Sequence, residues 1–314
     1  MRIHVIHENE DWLPPFAAAL DDAGLPWAEW FLDGGTLDLD GPPPEGVFWS
    51  RMSASCHTRG HLRAKEHTRS VLSWLEGYGR RVVNGRRVLE LEMSKVDQHA
   101  ALRAAGFDVP RTIAVVGDPS QARAVARRLD LPFITKDNQG GKGFGVQRFD
   151  SYEAFDAYLD GDGFVPPTDH TLLLQEYVEP AEPVITRVEV VGARFLYALT
   201  ADTSEGFELC PADACSTDDA FCPTDGGARF AHRSDLTAEH ARPWVDLARR
   251  WGAEIAGFEF IETADGRRVT YDVNTNTNYN PDVEREAPRS GPVEIARFLG
   301  QLLEEEAPPA GRAA

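Results

Sequence analysis

The chain has 314 residues, 42% of them hydrophobic and 26% charged, enough to bury a sizeable core distributed over two or three subdomains. Its 51 acidic residues against 32 basic ones give a formal net charge of −19, which repels phosphate backbones and anionic lipids and argues against nucleic acid and membrane partners. The start, Met1-Arg-Ile-His-Val-Ile-His, has no apolar run long enough for a signal peptide and nothing later is long enough to span a bilayer, so a cytoplasmic location with reduced thiols is expected.

Residues 2–7 alternate like a first strand, and 11–23 read as a helix with Pro14 and Pro15 near its start. A second strand over 26–32, a Gly/Pro loop over 34–46 and an apolar third strand over 47–49 follow. A long amphipathic helix then spans 61–78 and stops at Gly79. Strands alternating with helices predict a small, mostly parallel α/β domain over residues 1–90. Within 51–103, eleven Lys/Arg stand against five Asp/Glu, a basic stretch suited to a cleft for small anions, although Arg63, Lys65 and Arg69 read as a solvated helix face.

Ser94 caps a helix over 94–105 that ends before Gly106. A strand (112–116), a helix (119–129), a strand (133–136), a Gly-rich turn, a helix (151–159) and an apolar strand (171–178) complete a second unit over 91–180. The third, 181–304, opens with a hairpin of 186–191 and 194–200 around Gly192 and continues with a helix over 236–251. A second hairpin, 257–262 and 269–274, turns at Asp265-Gly266, a helix over 293–304 closes the fold, and 305–314 reads as a frayed tail. Cys210, Cys215 and Cys222 lie close together with His232 nearby, but without a C-x-x-C pair they read as an ordinary loop rather than a zinc site.

Three segments carry chemistry. Lys136-Asp-Asn-Gln-Gly-Gly-Lys-Gly-Phe-Gly145 puts four glycines in six residues after a strand, allowing backbone N–H groups to approach a phosphate without a Cβ in the way. It is neither a P-loop, because Lys142 is followed by Gly143, nor a dinucleotide fingerprint, because Arg148 stands where the last glycine belongs. Leu172-Leu-Leu-Gln-Glu-Tyr-Val178 is an apolar strand whose polar end can offer backbone groups and a carboxylate to an adenine edge. In the second hairpin, Glu259 pairs across to Asp272, and Asp272 and Asn274 share a face, which gives an all-oxygen cluster suited to Mg²⁺ and phosphate.

Taken in order, these segments resemble the ATP-grasp superfamily, and within it the ribosomal-protein glutamate ligase and glutathione synthetase branch, over roughly residues 51–280. The resemblance implies an α/β (α+β) ATP-grasp fold, with a small N-terminal parallel domain and two α+β subdomains that clasp ATP. It identifies Lys95 and Lys136 with the two nucleotide-contacting lysines. The loop with Gln139, Gly140, Gly141, Gly143 and Gly145 is identified as the lid over the β- and γ-phosphates, and Gln175, Glu176, Tyr177 and Val178 as the adenine hinge. Glu259, Asp272 and Asn274 are similar to the metal-ligand triad, implying two Mg²⁺ ions with Mn²⁺ able to substitute. Arg187 resembles the arginine facing the transferred phosphate, but Ile185 stands where the family often has Asp.

The activity implied is ATP-dependent, ADP-forming ligation of a carboxylate to an amine through an acylphosphate, with an amino acid such as glutamate added to a small molecule or peptide. No nucleophilic side chain or general base is required, so His99, His232 and His240 are expected to be structural or on the surface. The alternatives are a small-molecule kinase on the same fold and an ATP-binding regulatory protein without turnover. After Asn274 the family's small-residue turn is replaced by Thr275-Asn-Thr-Asn-Tyr-Asn280, so Asn276 is expected to border the acceptor substrate. Arg51, at the end of a first-domain strand, is expected either to hold a substrate carboxylate bidentately or to make an interdomain salt bridge. Relatives often form dimers or tetramers, so a homo-oligomer is a further expectation of the resemblance.

Overall fold

The computed structural model describes residues 1–141, 143, 145–204 and 229–307. The cysteines at 210, 215 and 222, the lid residues Lys142 and Phe144, and the end of the expected tail lie outside the described residues.

The first unit is a four-stranded parallel sheet in the order β2-β1-β3-β4, formed by β1 (Arg2–His7), β2 (Trp27–Phe31), β3 (Gly46–Ser50) and β4 (Arg81–Val83). Its crossovers are α1 (Pro14–Asp22), which starts on two prolines, and α2 (Ala64–Gly77). Every residue of β3 is buried, as an inner parallel strand covered on both faces requires. Gly46 is obligatory here: its φ is +141° and a Cβ would fall 2.0 Å from the Arg2 carbonyl oxygen on β1.

Two short helices, α3 (Arg86–Met93) and α4 (Lys95–Ala104), lead into an antiparallel sheet with the order β5-β8-β6-β7. Its strands are β5 (Thr112–Val116), β6 (Phe133–Asp137), β7 (Gln147–Phe149) and β8 (Thr171–Glu176), backed by α5 (Ser120–Ala126) and α6 (Tyr152–Asp160). The third sheet, β11-β10-β9-β12-β13, is antiparallel among the described residues. It comprises β9 (Val184–Val191), β10 (Arg194–Asp202), β11 (Phe230–His232), β12 (Ile255–Glu262) and β13 (Arg268–Asn274), with α7 (Ala238–Trp251) packed on one face. The chain closes with α8 (Pro281–Glu286) and α9 (Gly291–Glu306).

Side-chain packing groups α3 and α4 with the five-stranded sheet. Val88, Leu91 and Leu102, from α3 and α4, belong to the core between α7 and the five-stranded sheet, so these helices pack with the third unit rather than the second. Ile295 and Leu299 of α9 share a core with Ile3, Val47 and Trp49 of the parallel sheet and with Ile185 and Val191 of β9. The β5–β8 sheet has a separate core around Phe133, Phe149 and Phe155. The first and third units therefore form one continuous base, with a smaller unit set above it.

Strands of three residues, β4, β7 and β11, escaped the sequence pattern because no periodicity can be read over so few positions. The two long hairpins stand where the alternation put them, and Gly266 turns the second with φ +82°. No helix among the described residues is long and apolar enough to cross a membrane.

Candidate nucleotide and metal site

Along β9, residues 185, 187 and 189 share the face turned toward the cleft and the parallel sheet, while Val188 and Val190 enter the core under α7. On β12, Phe258 and Phe260 are likewise sent into that core, leaving Gly257 and Glu259 on the opposite face. The register pairs Glu259 with Asp272 and Gly257 with Asn274, and a β-bulge follows Glu259, so both Tyr271 and Asp272 line the cleft. Glu259, Asp272 and Asn274 thus stand together on the cleft face. Asn274 Nδ2 donates to Glu259 Oε1 at 2.9 Å and the Tyr271 hydroxyl donates to Glu259 Oε2 at 3.0 Å.

Two cations reach this cluster, Lys95 from the start of α4 and Lys136 from β6 across the cleft. Lys95 Nζ donates to Asp272 Oδ1 at 2.5 Å, and Lys136 Nζ lies 5.0 Å from the Tyr271 ring centroid. Their placement rests on two buried amides. Gln98, one turn after Lys95, donates to the Leu91 and Val273 carbonyls at 2.8 and 2.9 Å and accepts from Val273 N at 3.0 Å, docking α4 on β13. Asn138, two residues after Lys136, accepts from Val96 N at 2.9 Å through Oδ1 and donates to Asp169 at 2.6 Å. One amide therefore ties the start of α4 to the end of β6, and both lysines to each other. The sequence reading passed over Gln98 and Asn138, because a lone amide carries no pattern until its partners are known.

The electrostatics follow from burial and neighbours. Burial, with Lys95 nearby, pulls the Lys136 ammonium down to about 8. Burial would also depress Lys95, but Asp272 outweighs it and holds Lys95 above the usual lysine value. Burial would lift Asp272, yet Lys95 and Lys136 keep its carboxyl below the usual carboxylate range. Glu259, buried beside the Asp272 charge, is pushed up. Burial and Asp169 raise Asp137, at the foot of the lid, to about 6. Two carboxylates and an amide on rigid strands are hard oxygen donors, and the ammonium at Asp272 shows that they attract positive charge, so the set fits a divalent cation of the Mg²⁺ type. Among the described residues no cluster of three or more His, Cys, Asp or Glu is arranged to hold a metal.

Arg187 is 4% exposed and lines the same cleft, with Nε 2.6 Å from Glu189 Oε1 and Nη1 3.6 Å from Glu259 Oε1. Gly140, Gly141 and Gly143 cover the cleft from the lid side, and Gln175, Glu176, Tyr177 and Val178 line its far wall. Glu176 Oε2 accepts from Arg111 N at 3.0 Å, and Gln175 Nε2 donates to Thr112 Oγ1 at 2.9 Å. Glu176 thus lines the cleft while one of its carboxylate oxygens also serves the sheet edge. Gln139 and Gly145 do not line the cleft: Gln139 Oε1 accepts from Lys65 Nζ at 3.0 Å, and Gly145 lies against Asp137. Lys65, read from sequence as a solvated helix residue, is therefore a contact between α2 and the lid.

Asn276 lines the cleft beside Asn278, Ser53 and Ser55. Arg51 does not. Its side chain is 2% exposed, donates to the Trp12 and Thr277 carbonyls at 3.0 and 3.3 Å and to Asn278 Oδ1 at 2.9 Å, and stacks 4.1 Å from the Phe16 ring centroid. Both sequence expectations for Arg51 are corrected: among the described residues it neither lines the cleft nor forms a salt bridge, but fastens the 275–280 segment to the first unit by hydrogen bonds to neutral groups. Glu92 was missed altogether. Its carboxylate accepts from Thr275 N and Oγ1 at 2.7 and 2.9 Å and from Ala54 N at 3.3 Å, holding the same segment from below.

No protein-family model matches the chain. Over 277 residues it is 27% identical to a probable alpha-L-glutamate ligase of Xanthomonas oryzae pv. oryzae, an alignment covering 87% of this chain and 83% of that protein. Among solved structures it is similar to the D-cycloserine synthetase DcsG, with a TM-score of 0.64, 17% identity and coverage of 96% of this chain and 99% of that one. It is also similar to the ATP-grasp ligase PsnB complexed with a precursor variant, Mg and ADP, with a TM-score of 0.63, 18% identity and coverage of 96% and 98%. The chain has the ATP-grasp fold, and it resembles the glutamate-ligase-like branch of the ATP-grasp superfamily.

Proposed function

We propose that the chain is an ATP-dependent carboxylate–amine ligase that releases ADP and phosphate through an acylphosphate. The observation that carries this reading is the convergence of Lys95, Lys136 and Arg187 with Glu259, Asp272 and Asn274 on one cleft beneath a glycine-rich loop. The similarity to a probable alpha-L-glutamate ligase supports an amino acid such as glutamate as one substrate and a small molecule or peptide as the other.

Lys95 and Lys136 orient the ATP phosphates, and Gly140, Gly141 and Gly143 let backbone N–H groups lie close to them. The oxygen atoms of Glu259, Asp272 and Asn274 would hold Mg²⁺, two ions on this reading with Mn²⁺ as a substitute, which neutralises phosphate charge and polarises the γ-phosphoryl group. A substrate carboxylate oxygen attacks the γ-phosphorus, the bond to the β-phosphate oxygen breaks, and ADP departs. The amine then adds to the acyl carbon, the bond to the phosphorylated oxygen breaks, and phosphate leaves with that oxygen. Arg187 is the residue placed to stabilise charge on the transferred phosphoryl group. The lid restricts water while the acylphosphate exists.

The test is ADP and phosphate release from Mg-ATP against a panel of carboxylates and amino acids, with hydroxylamine present. Carboxylate-dependent ADP release with hydroxamate formation, lost in Lys136→Ala and Asp272→Ala, is the expected result. ADP release with a stable phosphorylated product instead of a hydroxamate identifies a kinase and contradicts the ligase reading.

A further inference from the structure

Burying a carboxylate is costly unless a charge or hydrogen bonds compensate it, so a fully buried glutamate at a strand position that accepts valine on either side needs a reason. Glu189 is such a residue. It is 0% exposed on β9, between Val188 and Val190, and is absent from the cleft lining. No group among the described residues hydrogen-bonds either of its oxygens in regular geometry, which leaves the 2.6 Å ion pair with Arg187 Nε as its compensation.

The strand opposite is shaped for the same pair. The register sets Gly257 of β12 across from Glu189 and Glu259 across from Arg187. A Cβ at position 257 would fall 2.4 Å from Arg187 Nε and 2.8 Å from both Cζ and Nη2. Most side chains at 257 would therefore displace the guanidinium. With glycine there, the Arg187 side chain lies flat across β12, its Nε edge held by Glu189 and its Nη1 directed toward Glu259. Ile185, two positions before Arg187 on the same face of β9, supplies no charge, so among the described residues Glu189 is the interior carboxylate against Arg187 Nε and Glu259 the cleft carboxylate nearest Nη1.

We propose that Glu189 and Gly257 are positioning residues that fix the Arg187 guanidinium for phosphoryl transfer, Glu189 by pinning Nε and Gly257 by leaving the space through which the group passes. The inference rests on the ligase reading above, in which Arg187 acts on the transferred phosphoryl group. Neither residue touches substrate, and both act through Arg187. A guanidinium whose Nε is released retains its charge but loses its fixed direction, which harms the transition state more than nucleotide binding.

The experiment compares wild type, Glu189→Gln, Gly257→Ala and Arg187→Lys for kcat and KM of ATP-dependent ADP release, with Mg-ADP affinity and thermal midpoint measured in parallel. Glu189→Gln keeps the shape of the side chain, and Gly257→Ala disturbs the guanidinium without altering Glu189. Both are expected to lower kcat by about tenfold to a hundredfold, as loss of an outer orienting partner commonly does, with KM for ATP and Mg-ADP affinity within about twofold of wild type. Unchanged kcat in both variants, or equal losses of kcat, Mg-ADP affinity and thermal midpoint, overturns the positioning role while leaving the ligase reading intact. A wild-type chain that turns over no ATP overturns the ligase reading and this inference together.

Discussion

Lys95 Nζ and Asp272 Oδ1 lie 2.5 Å apart although 177 positions separate them in the chain. The contact joins the start of α4 to the end of β13, and it exists because Gln98 hydrogen-bonds the Val273 backbone on both its N–H and C=O sides. On the ligase reading proposed above, the lysine assigned to the nucleotide and the carboxylate assigned to the metal are thus set by one docking event. Gln98→Ala leaves two Val273 backbone groups and the Leu91 carbonyl without their partner in a buried place. It is expected to cost about 1–3 kcal/mol of stability and to weaken Mg-ATP binding. Chemical denaturation and nucleotide titration of the same variant check both effects, and a variant as stable as wild type contradicts the docking role.

The Lys136 ammonium, drawn down to about 8 by burial and by Lys95, predicts a pH dependence of nucleotide binding. Bound triphosphate favours the charged lysine, whereas the nucleotide-free chain loses that proton as pH rises through about 8. Affinity for ATP should therefore fall between about pH 8 and pH 10, with proton uptake on binding in that window, by at most about tenfold per pH unit. Lys136→Arg keeps its charge throughout and is expected to flatten the profile. Calorimetric titrations in buffers of different ionisation enthalpy give the proton count, and zero uptake near pH 9 contradicts the assignment.

Arg51→Ala separates a fastening role from substrate binding. Removing the guanidinium leaves the Trp12 and Thr277 carbonyls and Asn278 Oδ1 without their donor, and is expected to cost about 1–3 kcal/mol. KM for the carboxylate substrate, measured well below the lowered thermal midpoint, should stay within about twofold of wild type. A tenfold rise in KM with unchanged stability returns Arg51 to the substrate site.

The contact between Lys65 and Gln139 links α2 to the lid. Lys65→Ala removes a partly exposed polar contact, so stability should change by no more than about 1 kcal/mol. A loosened lid admits water to the acylphosphate, and the ratio of ADP to ligated product should rise above the wild-type value. An unchanged ratio contradicts a role for this contact in closure.

The residues legible in the sequence were those whose chemistry is fixed by local pattern. Strand alternation and cross-strand pairing put Glu259, Asp272 and Asn274 on one face, and the glycine run marked a loop open to phosphate before any contact was known. Arg51 misled because its position at a strand end is shared by residues that face a cleft and residues that face another unit, and only the fold shows Thr277 and Asn278 beside it. Lys65 carried the signature of a solvated helix face and gave no sign of Gln139. Glu189 carries no local signal of its own, and its meaning depends on Gly257, which pairs with it from β12. Long-range amide clamps such as Gln98 and Asn138 have no local signature at all.

On the ligase reading, a substrate carboxylate oxygen attacks the γ-phosphoryl group. Turnover with a carboxylate substrate labelled with ¹⁸O tests it directly, by mass analysis of the phosphate released alongside ADP. The account predicts one labelled oxygen in the phosphate for each ADP formed, with the label lost together with turnover in Asp272→Ala. ADP formation with unlabelled phosphate would mean that water or another nucleophile takes the phosphoryl group, and would contradict the acylphosphate mechanism.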